Sequence, residues 1–235
     1  MTAARTIWDI SPRITPALAV WPGDTPPSRE VLLDMKRGDN LTLSTLNATV
    51  HLGAHADAPS HYGRDADSIE ARDLALYVGP CQVVRVPVAR GTRVGPDRIA
   101  WPPKAERILL ATGTYPDPDR FNPEFAALDP SLVDRLHATG VRLVGIDTPS
   151  VDLSDSKELP THQRLLACDM AVLEGLVLDE VPDGIYELIA LPLPLVGFDA
   201  SPVRAVLRAI SEEKIVPRAG LSAARALRTR PRRTR

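Results

Sequence analysis

Between His51 and His61 the chain reads His-Leu-Gly-Ala-His-Ala-Asp-Ala-Pro-Ser-His, which places three of its five histidines and one aspartate within eleven residues. Neutral imidazole and carboxylate are the donors that a divalent metal of borderline softness accepts when it does chemistry. No cysteine stands nearby. A closed structural zinc site ordinarily recruits thiolates, so this donor set points to a catalytic site with one position open to water. A lone histidine in such a stretch is more often a hydrogen-bonded core residue; four ligand-type residues together reverse that balance.

The spacing constrains how these residues are held. Thr45, Asn47, Thr49, His51, Gly53, His55 and Asp57 alternate with Leu46, Ala48, Val50, Leu52, Ala54 and Ala56. This is the period-two pattern of a half-buried strand, with both histidines and the aspartate on its polar face. In a straight strand His51 and His55 would stand about 13 Å apart, too far to share an ion. One solution is a bend, with Gly53 in a bulge or left-handed conformation and Pro59 ending regular pairing before His61. The other is a pair of ions with Asp57 as the bridge. The spacing does not choose between them.

The elements around this stretch follow from local signals. Ile7–Ser11 and Ala17–Trp21 read as short extended pieces, followed by the turn Trp21-Pro22-Gly23-Asp24, in which Trp21 reads on composition as a partly buried anchor. Cys81–Val88 and Arg107–Thr112 read as strands. Asp129 as N-cap and Pro130 at the first helical position start a helix that buries Leu132, Val133 and Leu136 and closes at Gly140, with His137 solvated in its last turn. Val141–Asp147 is the next strand, and a helix feeding a strand is the α/β pattern. The loop Asp147–Asp152 lies at that strand's C-terminal end, where α/β proteins often place sites, although a turn-stabilising role for both aspartates is equally well supported.

Pro160–Leu166 reads as a short helix carrying His162, and Met170–Leu178 as a strand carrying Glu174. In that apolar run Glu174 must face solvent or have a partner, such as a metal, that offsets its desolvation. Ser201 and Pro202 read as the start of a helix with Val203, Val206, Leu207 and Ile210 inward and Arg204 and Arg208 outward.

With 235 residues, 44% apolar and 25% charged, residues 1–217 suit one globular domain with a mixed sheet core and flanking helices. A net charge of −2 gives no case for nucleic-acid binding. Apolar runs such as Ile189–Val196 are short and proline-broken, and the N-terminus lacks a signal pattern, so no membrane association and a cytoplasmic location are expected. Cys81 and Cys168 match no zinc-ribbon spacing and are expected as buried free thiols. The 23 prolines against 14 glycines imply rigid, irregular connections. Residues 218–235 hold seven arginines and no acid; they read as a disordered, solvated tail, with weak binding to an acidic surface as the sharper alternative.

The motif His51-x-Gly53-x-His55-x-Asp57-x-Pro59-x-His61 resembles the signature of the metal-dependent cyclase family. Trp21–Asp24, Gly145–Asp152, His162, Glu174–Leu176 and Asp199–Arg204 resemble the same family in the same order, and Trp21 with Asp199–Arg204 narrows the likeness to its formamidase branch. The resemblance implies a homodimer of α/β subunits with the swivelling β/β/α architecture and two zinc ions per subunit. It implies His51, His55, Asp57, His162 and Glu174 as metal ligands with Asp57 bridging, His61 as proton donor and acceptor, and Trp21 against the aromatic ring of a small-molecule substrate. The activity it implies is hydrolysis of N-formyl-L-kynurenine to L-kynurenine and formate by a zinc-bound hydroxide. The alternatives are a relative acting on another amide, lactam or imide, and a non-catalytic, metal-stabilised binding protein.

Overall fold

The computed structural model describes residues 6–210. Its strands are, in chain order, β1 (Ile7–Asp9), β2 (Ser28–Leu33), β3 (Leu43–Asn47), β4 (His55–Asp57), β5 (Val78–Arg85), β6 (Arg93–Val94), β7 (Arg107–Ala111), β8 (Ala127–Leu128), β9 (Leu143–Ile146), β10 (Ala171–Glu174), β11 (Gly184–Ile189), β12 (Ala200–Pro202) and β13 (Val206–Ala209). Two α-helices, α1 (Pro130–Ala138) and α2 (Pro160–Ala167), accompany them. Nine strands form one mixed sheet in the order β1-β13-β11-β5-β7-β9-β10-β4-β12. The run β5-β7-β9-β10 is parallel, and the strands flanking it on both sides pair antiparallel.

Of the parallel strands, β7, β9 and β10 are buried on both faces, as strands are when each face of the sheet is covered. Leu109, Leu143 and Leu173 point into one apolar cluster with Ile10, Tyr77 and Leu188. Their neighbours Ile108, Leu110, Val144, Ile146 and Val172 point into the other, which is closed by Leu132, Val133 and Leu136 of α1 and Leu165 of α2. The start of α1 follows the sequence reading: Asp129 accepts the Ser131 N–H at 2.8 Å, and Gly140 ends the unit at φ +88°.

Four local expectations are corrected. Thr45–Asp57 is not one strand. β3 pairs with β2 in a separate, exposed ribbon, and the chain then crosses as a loop to β4, so His51 arrives on a loop and not by strand parity. The turn through which it does so is where the glycine was expected to act, since Gly53 has φ +57°. The segment after Ser201 is not a helix: β12 pairs with β4, and β13 lies between β1 and β11. Ser201, Val203, Ala205 and Leu207 alternate as buried residues. A four-residue spacing such as that of Arg204 and Arg208 satisfies a strand face as well as a helix face, and the pairing partners decided between them. Ala17–Trp21 forms no strand. Of the two free thiols Cys81 is buried, whereas Cys168 is only half-buried. Residues 211–235, with the arginine-rich tail, lie outside the described residues. Among those described, no helix is long and apolar enough to cross a membrane.

Candidate metal centre

The antiparallel register of β4 against β10 sets Glu174 directly opposite His55 and Val172 opposite Asp57. Residues two apart in a strand share a face, so His55, Asp57 and Glu174 meet on one side of the sheet. The solvent-facing alternative for Glu174 is thereby excluded: it is 3% exposed, and its Oε1 accepts the Val151 N–H at 2.7 Å. His162 comes from the first turn of α2, with Nε2 3.5 Å from Asp57 Oδ2 and 3.4 Å from Glu174 Oε1. His55 Nε2 stands 3.4 Å from Asp57 Oδ1 and 3.3 Å from Glu174 Oε2. The loop before β4 brings His51 Nδ1 to 3.1 Å from Asp57 Oδ1.

His55 Nε2, His162 Nε2 and both carboxylate oxygens of Asp57 are buried and have no hydrogen-bond partner. Orphaned buried polar atoms are costly and call for an explanation. A divalent cation supplies one. Tetrahedral ligation at ordinary zinc–nitrogen and zinc–oxygen distances separates ligand atoms by about 3.3 Å, which is the spacing found here. Among the described residues, two groups satisfy the requirement of mutual closeness, His55–Asp57–Glu174 and His51–Asp57–His61, and they share Asp57. The donor set therefore fits one ion or an adjacent pair with Asp57 between them.

The electrostatics lead to the same place. Burial opposes charge on every member, yet the attraction between them prevails. Asp57 is held well below the usual carboxylate range by His162, His51 and His55. Glu174 is lowered by His162 and His55 against both its burial and the like charge of Asp57. His55 is pushed up to about 10 by Asp57 and Glu174, and His162 rises well above its ordinary value. Two buried carboxylates thus demand positive charge, which a metal ion meets while leaving the imidazoles neutral.

His61 is placed differently. It follows Pro59 in a short 3-10 turn, its side chain is about one-third exposed, and its Nδ1 faces Asp199 Oδ2 at 3.3 Å. The same oxygen lies 3.1 Å from His51 Nε2. The sequence singled out Asp199 only as part of a resembling stretch, and nothing local foretold this contact between residues 138 apart.

His51, His55, His61, His162 and Glu174 line a cleft of about 540 Å³. Trp21 packs edge-to-face on Phe121 and Phe125, at centroid distances of 5.4 and 6.1 Å, and with Tyr115 and Phe121 it gives the cleft an aromatic wall. Trp21 is therefore more than the anchor of a proline-rich turn. Tyr115 and Phe121 carried no sequence signal, because a lone aromatic in a loop does not reveal which cavity it lines.

One glycine joins the metal face to the loop before it. Gly175 follows Glu174 with φ +65°, and a Cβ there would overlap the carbonyl oxygen of Gly53. Gly175→Ala is expected to destabilise the protein by about 2–4 kcal/mol through this clash and the left-handed backbone. Thermal or urea unfolding of the two proteins measures it, and an unchanged midpoint would contradict the close approach.

The fold and this cluster define an α/β protein with a buried histidine–carboxylate centre that opens on a cleft with an aromatic wall. The chain belongs to the cyclase family: the family model described as "Putative cyclase" matches residues 8–153. A potential metal-dependent hydrolase with cyclase activity is 27% identical, with 88% of this chain and 100% of that one covered at a TM-score of 0.77. A predicted metal-dependent hydrolase from Bacillus stearothermophilus is 28% identical over 88% and 99% of the two chains, with a TM-score of 0.75. Isatin hydrolase A from Labrenzia aggregata shares the fold at 22% identity and a TM-score of 0.74, over 87% and 93% of the two chains.

Proposed function

We propose that the protein is an arylformamidase, a kynurenine formamidase that hydrolyses N-formyl-L-kynurenine to L-kynurenine and formate and acts as a cytoplasmic homodimer. The observation that carries this reading is the aromatic wall of Trp21, Tyr115 and Phe121 in the same cleft as the histidine–carboxylate cluster. An aryl amide docked on that wall would present its formyl group to the cluster. His51, His55, Asp57, His162 and Glu174 would hold two zinc ions, with Asp57 shared between them. Zinc bound there would lower the pKa of water toward neutrality and polarise the formyl carbonyl.

The chain's own side chains supply the rest. Trp21 and Phe121 orient the ring, while Leu18, Pro118 and Leu176 of the cleft wall limit water around it. Departure of the arylamine as an anion would be costly, so its nitrogen needs a proton as the C–N bond breaks. With its Nδ1–H donated in a hydrogen bond to Asp199 Oδ2, His61 has the Nε2 lone pair available to take a proton from water and then deliver it to the leaving nitrogen.

Metal content by elemental analysis, measured alongside turnover of N-formyl-L-kynurenine, tests the reading. Hydrolysis of a cyclic aryl lactam or imide in its place would keep the class of chemistry and change the substrate. Bound metal without turnover of any aryl amide would leave a metal-stabilised binding protein. The role of Trp21 is tested separately. Trp21→Ala is expected to raise KM for the aryl substrate by roughly 5–10-fold, the equivalent of losing an aromatic contact of about 1–1.5 kcal/mol. Turnover of an aliphatic formamide should hardly change, and equal losses on both substrates would remove Trp21 from the substrate site.

A further inference from the structure

His162 reaches the centre with one ring nitrogen, and its other nitrogen leads to a buried carboxylate and a half-buried guanidinium behind it. Asp152 is completely buried. Its Oδ2 accepts His162 Nδ1–H at 2.8 Å and the backbone N–H groups of Thr161 and His162 at 3.1 Å each. Its Oδ1 accepts from the Arg93 guanidinium at 2.9 Å. Arg93 is itself fixed, since the same nitrogen lies 2.8 Å from the Leu128 carbonyl and 3.0 Å from Thr161 Oγ1. A carboxylate has no proton to donate, so the ring nitrogen facing Asp152 must carry the hydrogen. The lone pair is then on Nε2, the atom that faces Asp57 and Glu174 without a hydrogen-bond partner.

We infer that Asp152, braced by Arg93, is a positioning residue of the metal centre, which fixes the tautomer and orientation of His162 and so strengthens binding of the ion that His162 takes with Asp57 and Glu174. The inference rests on the reading of this cluster as a site for divalent cations. Its effect should be one-sided. His55 Nδ1 donates at 2.9 Å to the Gly53 carbonyl, a neutral acceptor, and makes no such charged pair behind the ring. Asp152 also caps the first turn of α2, which otherwise lacks a side-chain cap. The experiment must therefore separate positioning from helix capping.

Zinc-loaded wild-type, Asp152→Asn and Arg93→Met proteins are titrated with a graded chelator, and retained metal is read by elemental analysis. Unfolding of the metal-free proteins measures the capping contribution. Asp152→Asn can turn its amide NH2 toward Nδ1 and favour the wrong tautomer, so its affinity for one ion per chain should fall by about 10–100-fold. Arg93→Met keeps the carboxylate and should lose less, roughly 3–10-fold. In cobalt-loaded protein the visible spectrum should shift in Asp152→Asn, which a capping role alone would not cause. Should Asp152→Asn fail to fold, Arg93→Met carries the test. Wild-type affinity and an unchanged cobalt spectrum in every variant that folds would overturn the inference. A wild-type protein that holds no divalent cation would overturn the metal reading along with it.

Discussion

Strong chelation is expected to abolish turnover of N-formyl-L-kynurenine, and added zinc to restore it. The expectation follows from the ligand atoms. His55 Nε2, His162 Nε2 and both oxygens of Asp57 are buried without hydrogen-bond partners, so among the described residues no other group would take the place of a cation there. None of the residues assigned to the reaction generates a nucleophile strong enough for an amide at neutral pH unaided, which is what a bound divalent ion supplies. Loss of the ion should also lower stability, because a ligand that binds only the folded state stabilises it by an amount that grows with the logarithm of its free concentration over its Kd. At free zinc a thousand-fold above its Kd this amounts to about 4 kcal/mol. Turnover and unfolding midpoint should therefore fall together on chelation and recover together. Full activity in a sample shown by elemental analysis to be metal-free would sink the proposed mechanism.

His61→Ala should keep its metal and lose rate. Proton transfer by a positioned side chain typically contributes about 10²–10⁴-fold, equivalent to roughly 2.7–5.5 kcal/mol in the barrier. The loss should fall on kcat more than on KM, and it should shrink for substrates whose amine leaves more easily as an anion. His55→Ala is the comparison, because His55 is buried between Asp57 and Glu174 whereas His61 is partly exposed and turned toward Asp199. The alternative has a structural basis, since His61 also lies close enough to His51 and Asp57 to share an ion with them. Metal loss in His61→Ala equal to that in His55→Ala would make it a ligand and leave the proton donor unassigned.

Much of this centre was legible in the sequence because its signals are local. Asp129 and Pro130 start α1, and the alternation of His55 with Asp57 puts both on one strand face, whatever the rest of the chain does. The bend needed before His55 required a residue tolerant of positive φ, and Gly53 is that residue. The density of histidines between His51 and His61 marked candidate donors and pointed to the class of chemistry, whereas His162 and Glu174 were assigned as ligands only through the resemblance.

Contacts across the chain belong to the tertiary structure. Whether Glu174 faces solvent or the histidine cluster depends on the register of β10 against β4, which no residue near Glu174 encodes. Asp152 read locally as a loop residue and Asp199 only as part of a resembling stretch, and only packing shows one behind His162 and the other between His51 and His61. The period of residues 201–209 was ambiguous for the same reason: Arg204 and Arg208 face outward on a helix and on a strand alike. The segment is extended because β4, β1 and β11 offered backbone groups to pair with, and unpaired backbone in a buried sheet is costly. Sequence patterns of period two or four specify which side chains share a face; which faces then meet is decided by burial and hydrogen bonding between segments far apart in the chain.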